Sequence, residues 1–213
     1  MSLGALLSDR GGADLVLLQE ASAKGMREFC HAAGLDWVLH IRDIAPEMLS
    51  MRGRSGQTGS RGRPRSVAIA GRGEPARSPV VFPEVPLPEK VMAASVDLDG
   101  VTTTVVTYHA PTGVQHKLKK PEQAVCLAQW LASMEGPVIL GGDFNTPKLD
   151  PPDQRDIRTH WHSGDKKLDG LPGDDLLVGP KPIHGLQDAF RLYLGDHPDE
   201  LDEIRADHPS GPL

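Results

Sequence analysis

VILGGDFNTP, residues 138–147, begins with three aliphatic residues, passes through two glycines, and delivers an aspartate and an asparagine two positions apart. Val138-Ile139-Leu140 is a short apolar run of the kind found in a strand buried on both faces. A polar pair where such a strand meets its loop is the usual setting of a ligand site in α/β sheets. The strand aims the side chains and the loop leaves room for substrate.

Two further strands end in the same way. Leu15-Val16-Leu17-Leu18 runs into Gln19-Glu20, and the Val- and Thr-rich segment 101–108 runs into His109-Ala110-Pro111. That segment pairs with 91–98 across Asp99-Gly100, the strongest short hairpin signal in the chain. Trp37 to Ile41 and Val67 to Ala70 read as strands as well.

Between the strands lie helical patterns. Leu3, Leu6 and Leu7 follow helical spacing ahead of Gly11-Gly12, and Met26, Phe29, Cys30 and Ala33 recur at i, i+3, i+4, i+7 before Gly34. Ala124, Leu127, Ala128 and Leu131 mark a helix after Pro121, and Leu186, Ala189, Phe190 and Tyr193 form a last helical face. Glu74 to Lys90 carries five prolines and reads as irregular connection, as do the Pro-, Gly- and Asp-rich residues 146–183. The alternation of helices and strands with one hairpin predicts an α/β or α+β layered fold on a central sheet, without internal repeat or domain boundary.

Bulk properties narrow the class. A chain of 213 residues suffices for one domain with a real core, and 38% hydrophobic with 24% charged residues fits a globular protein. No apolar run nears the roughly 20 residues of a membrane-spanning helix. MSLGALLSDR lacks a positive region before its short apolar stretch, so the expected setting is cytoplasmic. Cys30 and Cys126 fall on helical segments and read as buried hydrophobes rather than a disulfide pair. The net charge of −6 argues against a protein that coats nucleic acid through global charge. It leaves room for a local basic surface, and residues 50–65, with five arginines and four glycines, form a loop of that kind.

The residue types at the three strand ends suggest one chemistry. Carboxylates are the hard oxygen ligands that suit magnesium, which binds through one or two of them plus substrate phosphate. Asp143 could orient or deprotonate a water, Asn145 could hold that water or a phosphate oxygen, and a protonated His109 could offset charge on a phosphoryl group. Each residue also has a plainer reading. Glu20 would be a solvated loop residue, His109 a structural one, and Asp143 with Asn145 turn formers that bond their own backbone. A single site accounts for all of them at once.

GGDFNTP at 141–147 closely resembles the GDFN signature of the endonuclease/exonuclease/phosphatase (DNase I-like) family. ADLVLLQE at 13–20 resembles that family's metal-binding strand, VVTYHAPTG at 105–113 its strand ending in His-x-Pro, RSVAIAGR at 65–72 the strand between them, and GLQDAFR at 185–191 the helix after the GDFN loop. The motifs keep the family's order over roughly residues 3–195. The resemblance implies a DNase I-like four-layer sandwich, two packed mixed sheets flanked by helices, in a single domain over 1–213. It implies magnesium, or manganese, at Glu20 and Asp143, with Asp143 and Asn145 handling water and phosphate and His109 binding the scissile phosphate. The substrate would be a phosphate ester, DNA or RNA among the options. Apart from the resemblance, Arg63 and Arg65 of the basic loop could track a polyanionic backbone, against the plainer reading of a solvated flexible loop.

Parts of the family pattern are missing. Its opening strand with a metal-side Asn has no counterpart here, nor has its closing strand with Asp and a terminal Ser-Asp-His. The chain is therefore expected to be truncated at both ends. Asp196-His197-Pro198 and Asp207-His208-Pro209 echo the terminal motif only superficially, because 195–213 reads as an irregular tail. His160-x-His162 with Asp165 and His184 hints at zinc without matching an established spacing. Two functions stay open: a metal-dependent phosphoesterase, and an inactive remnant that at most binds nucleic acid or a partner.

Overall fold

The computed structural model of the chain describes residues 12–46, 66–82, 84–146, 151–157, 159, 173–200 and 202. In chain order the elements begin with β1 (Leu15–Ala21), α1 (Met26–Ala33), β2 (Trp37–His40), α2 (Ile41–Ile44), β3 (Ser66–Gly71) and β4 (Arg77–Val81). A 3₁₀ turn at Pro88–Lys90 leads into β5 (Val91–Leu98) and β6 (Val101–His109), followed by α3 (Gly113–His116) and α4 (Lys119–Ala132). The series closes with β7 (Val138–Asp143), a 3₁₀ turn at Gln154–Asp156, α5 (Gly173–Val178) and α6 (Ala189–Asp196). These residues fall into two compact units, one within Met1–Ala110 and Glu135–Phe144, the other within Pro111–Met134 and Asn145–Leu213.

The first unit is built on two sheets. One is antiparallel with order β1-β3-β2, and the other has order β4-β5-β6-β7 with its β6–β7 pair parallel. Alternation along the strands sorts the side chains. Leu15 and Leu17 of β1, Trp37 and Leu39 of β2, and Val67 and Ile69 of β3 meet Met92, Ala94, Val96 and Val105 of the second sheet in one core. The intervening residues Val16, Val38 and Ala70 turn the other way and pack on Cys30 and Ala33 of α1. This is the α+β architecture of packed sheets and helices that the strand pattern predicts.

Several local signals have direct structural counterparts. Asp99 and Gly100 both take positive φ, 54° and 81°, as a two-residue type I′ hairpin turn requires. Gly34 ends α1 in the left-handed region, where a residue without Cβ is unstrained. In the second unit, Ala124, Leu127, Ala128 and Leu131 are all buried on α4.

Other segments are more regular than their composition predicts. Within the proline-rich stretch 74–90, Arg77–Val81 forms β4, an edge strand paired to β5 through an irregular register. Pro79 is tolerated there because an edge strand has one side with no ladder to supply. Within 146–183, Gly173–Val178 is helical, although six residues are too few to show periodicity. The last helical face is also turned: in α6, Leu194 is buried while Phe190 and Tyr193 are exposed. Cys30 and Cys126 are free thiols, the first buried and the second half-buried. The expected amino-terminal helix, the Arg-rich loop 50–65, His160, His162, Asp165 and Asp207-His208 lie outside the described residues.

Candidate active site

The site is assembled by register. β6 and β7 run parallel with His109 paired to Asp143, so both side chains come from the last residues of neighbouring strands. His109 Nε2 lies 3.8 Å from Asp143 Oδ2, with the histidine largely buried and the aspartate half-exposed. Ala110 N–H donates to the Asp143 carbonyl at 2.7 Å and carries the pairing one step further.

Two glycines make this approach feasible. A Cβ at Gly142 would overlap the Tyr108 carbonyl, and one at Gly141 would press on the Leu17 side chain at 2.7 Å. Substituting Gly142 would therefore push β7 off β6 and separate Asp143 from His109. Phe144 then packs edge-on against the buried Tyr108 ring, 5.7 Å between centroids.

β1 reaches the same strand ends through Gln19, whose Nε2 donates to Thr107 Oγ1 at 3.0 Å. Its pairing with β3 shifts between Leu18 and Ala21, where one extra residue forms a bulge. Bulges re-aim side chains beside functional sites. Glu20 sits in this one at φ 53°, a conformation that is uncommon for a residue with a Cβ. Below the bulge, His40 is almost wholly buried. Its Nδ1 accepts from Arg42 N–H at 3.3 Å, so Nε2 carries the proton that faces Ser66 Oγ at 3.1 Å and the Ala21 carbonyl at 3.4 Å. Burial holds the His40 imidazole below its ordinary pKa of 6.5.

One residue at this point lay outside the sequence reading. Lys90 Nζ is 3.2 Å from His109 Nδ1. Burial pushes the Lys90 ammonium below its ordinary value, and Glu89, Glu20 and Asp143 pull it back up. The same two carboxylates act on His109. Burial and then Lys90 lower its pKa from 6.5, while Asp143 and Glu20 oppose them. Glu20 and Asp143 thus both exert their charge on one Lys90–His109 pair. The signal for Lys90 was present in the sequence: a two-residue turn at Asp99-Gly100 fixes the hairpin register, which pairs Val91 with Tyr108 and sets Lys90 opposite His109.

Asn145 belongs to the second unit. It takes φ 49°, and its backbone carbonyl accepts from Lys120 Nζ at 2.8 Å. Lys120, on the first turn of α4, is 2% exposed and also pairs with Asp174 of α5 at 3.1 Å. Burial raises the Asp174 pKa and the Lys120 charge opposes that rise. Sequence reasoning missed this pair because Asp174 sits in a stretch without visible periodicity.

The remaining candidates separate. Arg63 and Arg65 lie outside the described residues. His184 bonds the Leu177 carbonyl through Nε2 at 2.8 Å and the Leu186 N–H through Nδ1, so both ring nitrogens serve the local loop. His197 stacks on Tyr193, 4.0 Å between centroids, and its Nδ1 bonds the Tyr193 carbonyl at the end of α6. Among the described residues, no group of three or more His, Cys, Asp or Glu side chains is placed to hold a metal ion. Glu20 and Asp143 are carboxylates, the hard oxygen donors that suit magnesium.

No family model matches the chain, and no curated protein matches its sequence. Solved structures do resemble its fold. A D. rerio TDP2 humanized by 14 mutations is 16% identical with a TM-score of 0.48, over 68% of this chain and 54% of that one. D. rerio TDP2 in complex with a single-strand DNA product is 17% identical, TM-score 0.47, over 68% and 52%. ANGEL2, a 2′,3′-cyclic phosphatase, is 15% identical, TM-score 0.44, over 79% and 52%. The chain spans about half the length of these structures. Among the described residues, no helix is long and apolar enough to cross a membrane.

Proposed function

We propose that this chain acts as a metal-dependent phosphoesterase of the endonuclease/exonuclease/phosphatase type, hydrolysing a phosphodiester or phosphomonoester by attack of water. The observation that supports it most is geometric: parallel β6 and β7 pair His109 with Asp143, Nε2 to Oδ2 at 3.8 Å, and Gln19, the neighbour of Glu20, bonds Thr107 two residues before that histidine. Two carboxylates beside a polar, half-buried donor are what a phosphate ester and its cation need.

In this reading Glu20 and Asp143 hold a magnesium ion, or manganese, which when bound polarises the phosphoryl oxygens and neutralises their developing charge. Asp143 also orients the attacking water or takes its proton. His109 donates from its ring to a phosphoryl oxygen as a neutral group. Asn145 holds the water or a second phosphate oxygen, and Arg63 and Arg65 contact the backbone of a polyanionic substrate.

Hydrolysis of bis-p-nitrophenyl phosphate and plasmid DNA with magnesium, manganese or EDTA tests this reading. Turnover is expected with either metal, none with EDTA, and a loss of about 10²- to 10⁴-fold in Asp143→Ala. Equal turnover in wild type and Asp143→Ala would contradict it. A second reading is binding of a phosphate backbone or partner without turnover. Folded wild-type protein that binds single-stranded DNA but hydrolyses neither substrate would select that reading.

A further inference from the structure

Lys90 and His109 are joined by the hairpin rather than by chance contact. The β5–β6 register pairs Val91 with Tyr108, so the residue before β5 stands opposite the last residue of β6. Pro88 opens the 3₁₀ turn that delivers Lys90 to that position, and Lys90 N–H bonds back to the Leu87 carbonyl at 3.1 Å. Pro88 and Leu87 are buried, so the turn that carries the lysine is seated in the protein.

An ammonium has three protons to donate and no lone pair to accept with. Its partner at 3.2 Å is His109 Nδ1, and a charged Lys90 can bond that atom only where it is the unprotonated ring nitrogen. A histidine with one nitrogen acting as acceptor carries its proton on the other. Here the other is Nε2, the nitrogen on the Asp143 side at 3.8 Å.

We infer that Lys90 is a positioning residue for the hydrolysis proposed above, donating to His109 Nδ1 and thereby fixing a neutral ring whose Nε2–H faces Asp143 and the phosphoryl group. The inference rests on that functional reading for its purpose and on geometry for its content. Lys90 does not touch the substrate; it acts through the tautomer and angle of His109. Without it the ring is free to rotate about χ2, which puts a C–H where the Nε2–H stood, or to exchange tautomers, which turns the Nε2 lone pair toward an anionic phosphate.

Two measurements on the full chain test it. Two-bond ¹H–¹⁵N correlation of His109, assigned by its disappearance in His109→Gln, reads which nitrogen is protonated. The expected spectrum at neutral pH shows Nε2–H, with Nδ1 shifted as a hydrogen-bonded acceptor. Lys90→Met should move Nδ1 to the position of a free imine nitrogen, and Lys90→Arg should return it part of the way. A protonated Nδ1 in wild type overturns the inference, whether or not the protein hydrolyses anything.

In turnover of bis-p-nitrophenyl phosphate, Lys90→Met should lower kcat about 10- to 100-fold, the usual cost of losing a partner that orients a functional histidine, with KM changed less than kcat. Lys90→Arg should recover part of kcat. An Nδ1 resonance unmoved in a folded Lys90→Met variant would overturn the assignment. A loss confined to KM would also overturn it, because it would make Lys90 a substrate contact. If wild type shows the expected ring spectrum but no turnover, the phosphoesterase reading fails and the Lys90–His109 bond stands.

Discussion

Lys120 is buried and Lys90 half-buried, and the two ammonium groups end in opposite surroundings. Lys120, in the second unit, meets the Asp174 carboxylate and the Asn145 carbonyl, 3.1 and 2.8 Å away. Lys90, in the first, meets the neutral nitrogen of a histidine whose other side faces a half-exposed aspartate. A buried cation matched to a carboxylate and a carbonyl is a structural anchor, because removing it leaves a charge that the interior cannot solvate. A cation spent on an imidazole orients that ring. The difference separates a lysine that holds a loop from one that tunes a site.

The largest expected effect is on Lys120. Lys120→Met should destabilise the protein by about 3–5 kcal/mol, because it strands Asp174 in a buried site. Denaturant unfolding checks this, and pairing it with Asp174→Asn should restore much of the loss. A cost below about 1 kcal/mol would dissolve the contrast, since Lys120 would then be no anchor. Lys90→Met removes one hydrogen bond from a half-buried site, so its stability should fall by only about 1 kcal/mol. Its larger consequence is in kcat. Equal losses of stability in the two variants would show that both lysines are structural.

The smallest effect is a pH dependence seated beneath the Glu20 bulge. The His40 pKa is held below its unfolded value of 6.5, so the unfolded chain takes up a proton more readily than the folded one. The contribution of His40 to stability is full above pH 6.5 and declines as pH falls from there toward the folded pKa. Melting temperatures between pH 7.5 and 5.5 should fall more steeply in wild type than in His40→Gln. Parallel slopes would show that His40 does not couple to folding.

How much of this the sequence discloses depends on whether a feature is local. Asp99-Gly100 names its own turn, and with it the register that aligns Lys90 and His109. The strand ends at Glu20, His109 and Asp143 are legible because apolar runs give way abruptly to single polar residues. β4 is not, because an edge strand tolerates Pro79 and needs only one apolar face. Gly173–Val178 is too short to show a period, and its Asp174 acquires meaning only from Lys120, more than fifty positions earlier. Lys90 was obscured by five prolines in the same stretch, although the hairpin register alone points to it.

In the proposed site, a cation held by Glu20 and Asp143 lies beside His109, so three strand ends surround it. Adding Mn²⁺ to ¹⁵N-labelled protein tests it most directly, because a paramagnetic ion broadens the resonances nearest to it. The amides of Glu20, His109 and Asp143 are expected to broaden together at the lowest Mn²⁺ concentrations, and Asp143→Ala to abolish the effect. Broadening centred on other residues, or unchanged in Asp143→Ala, would contradict it.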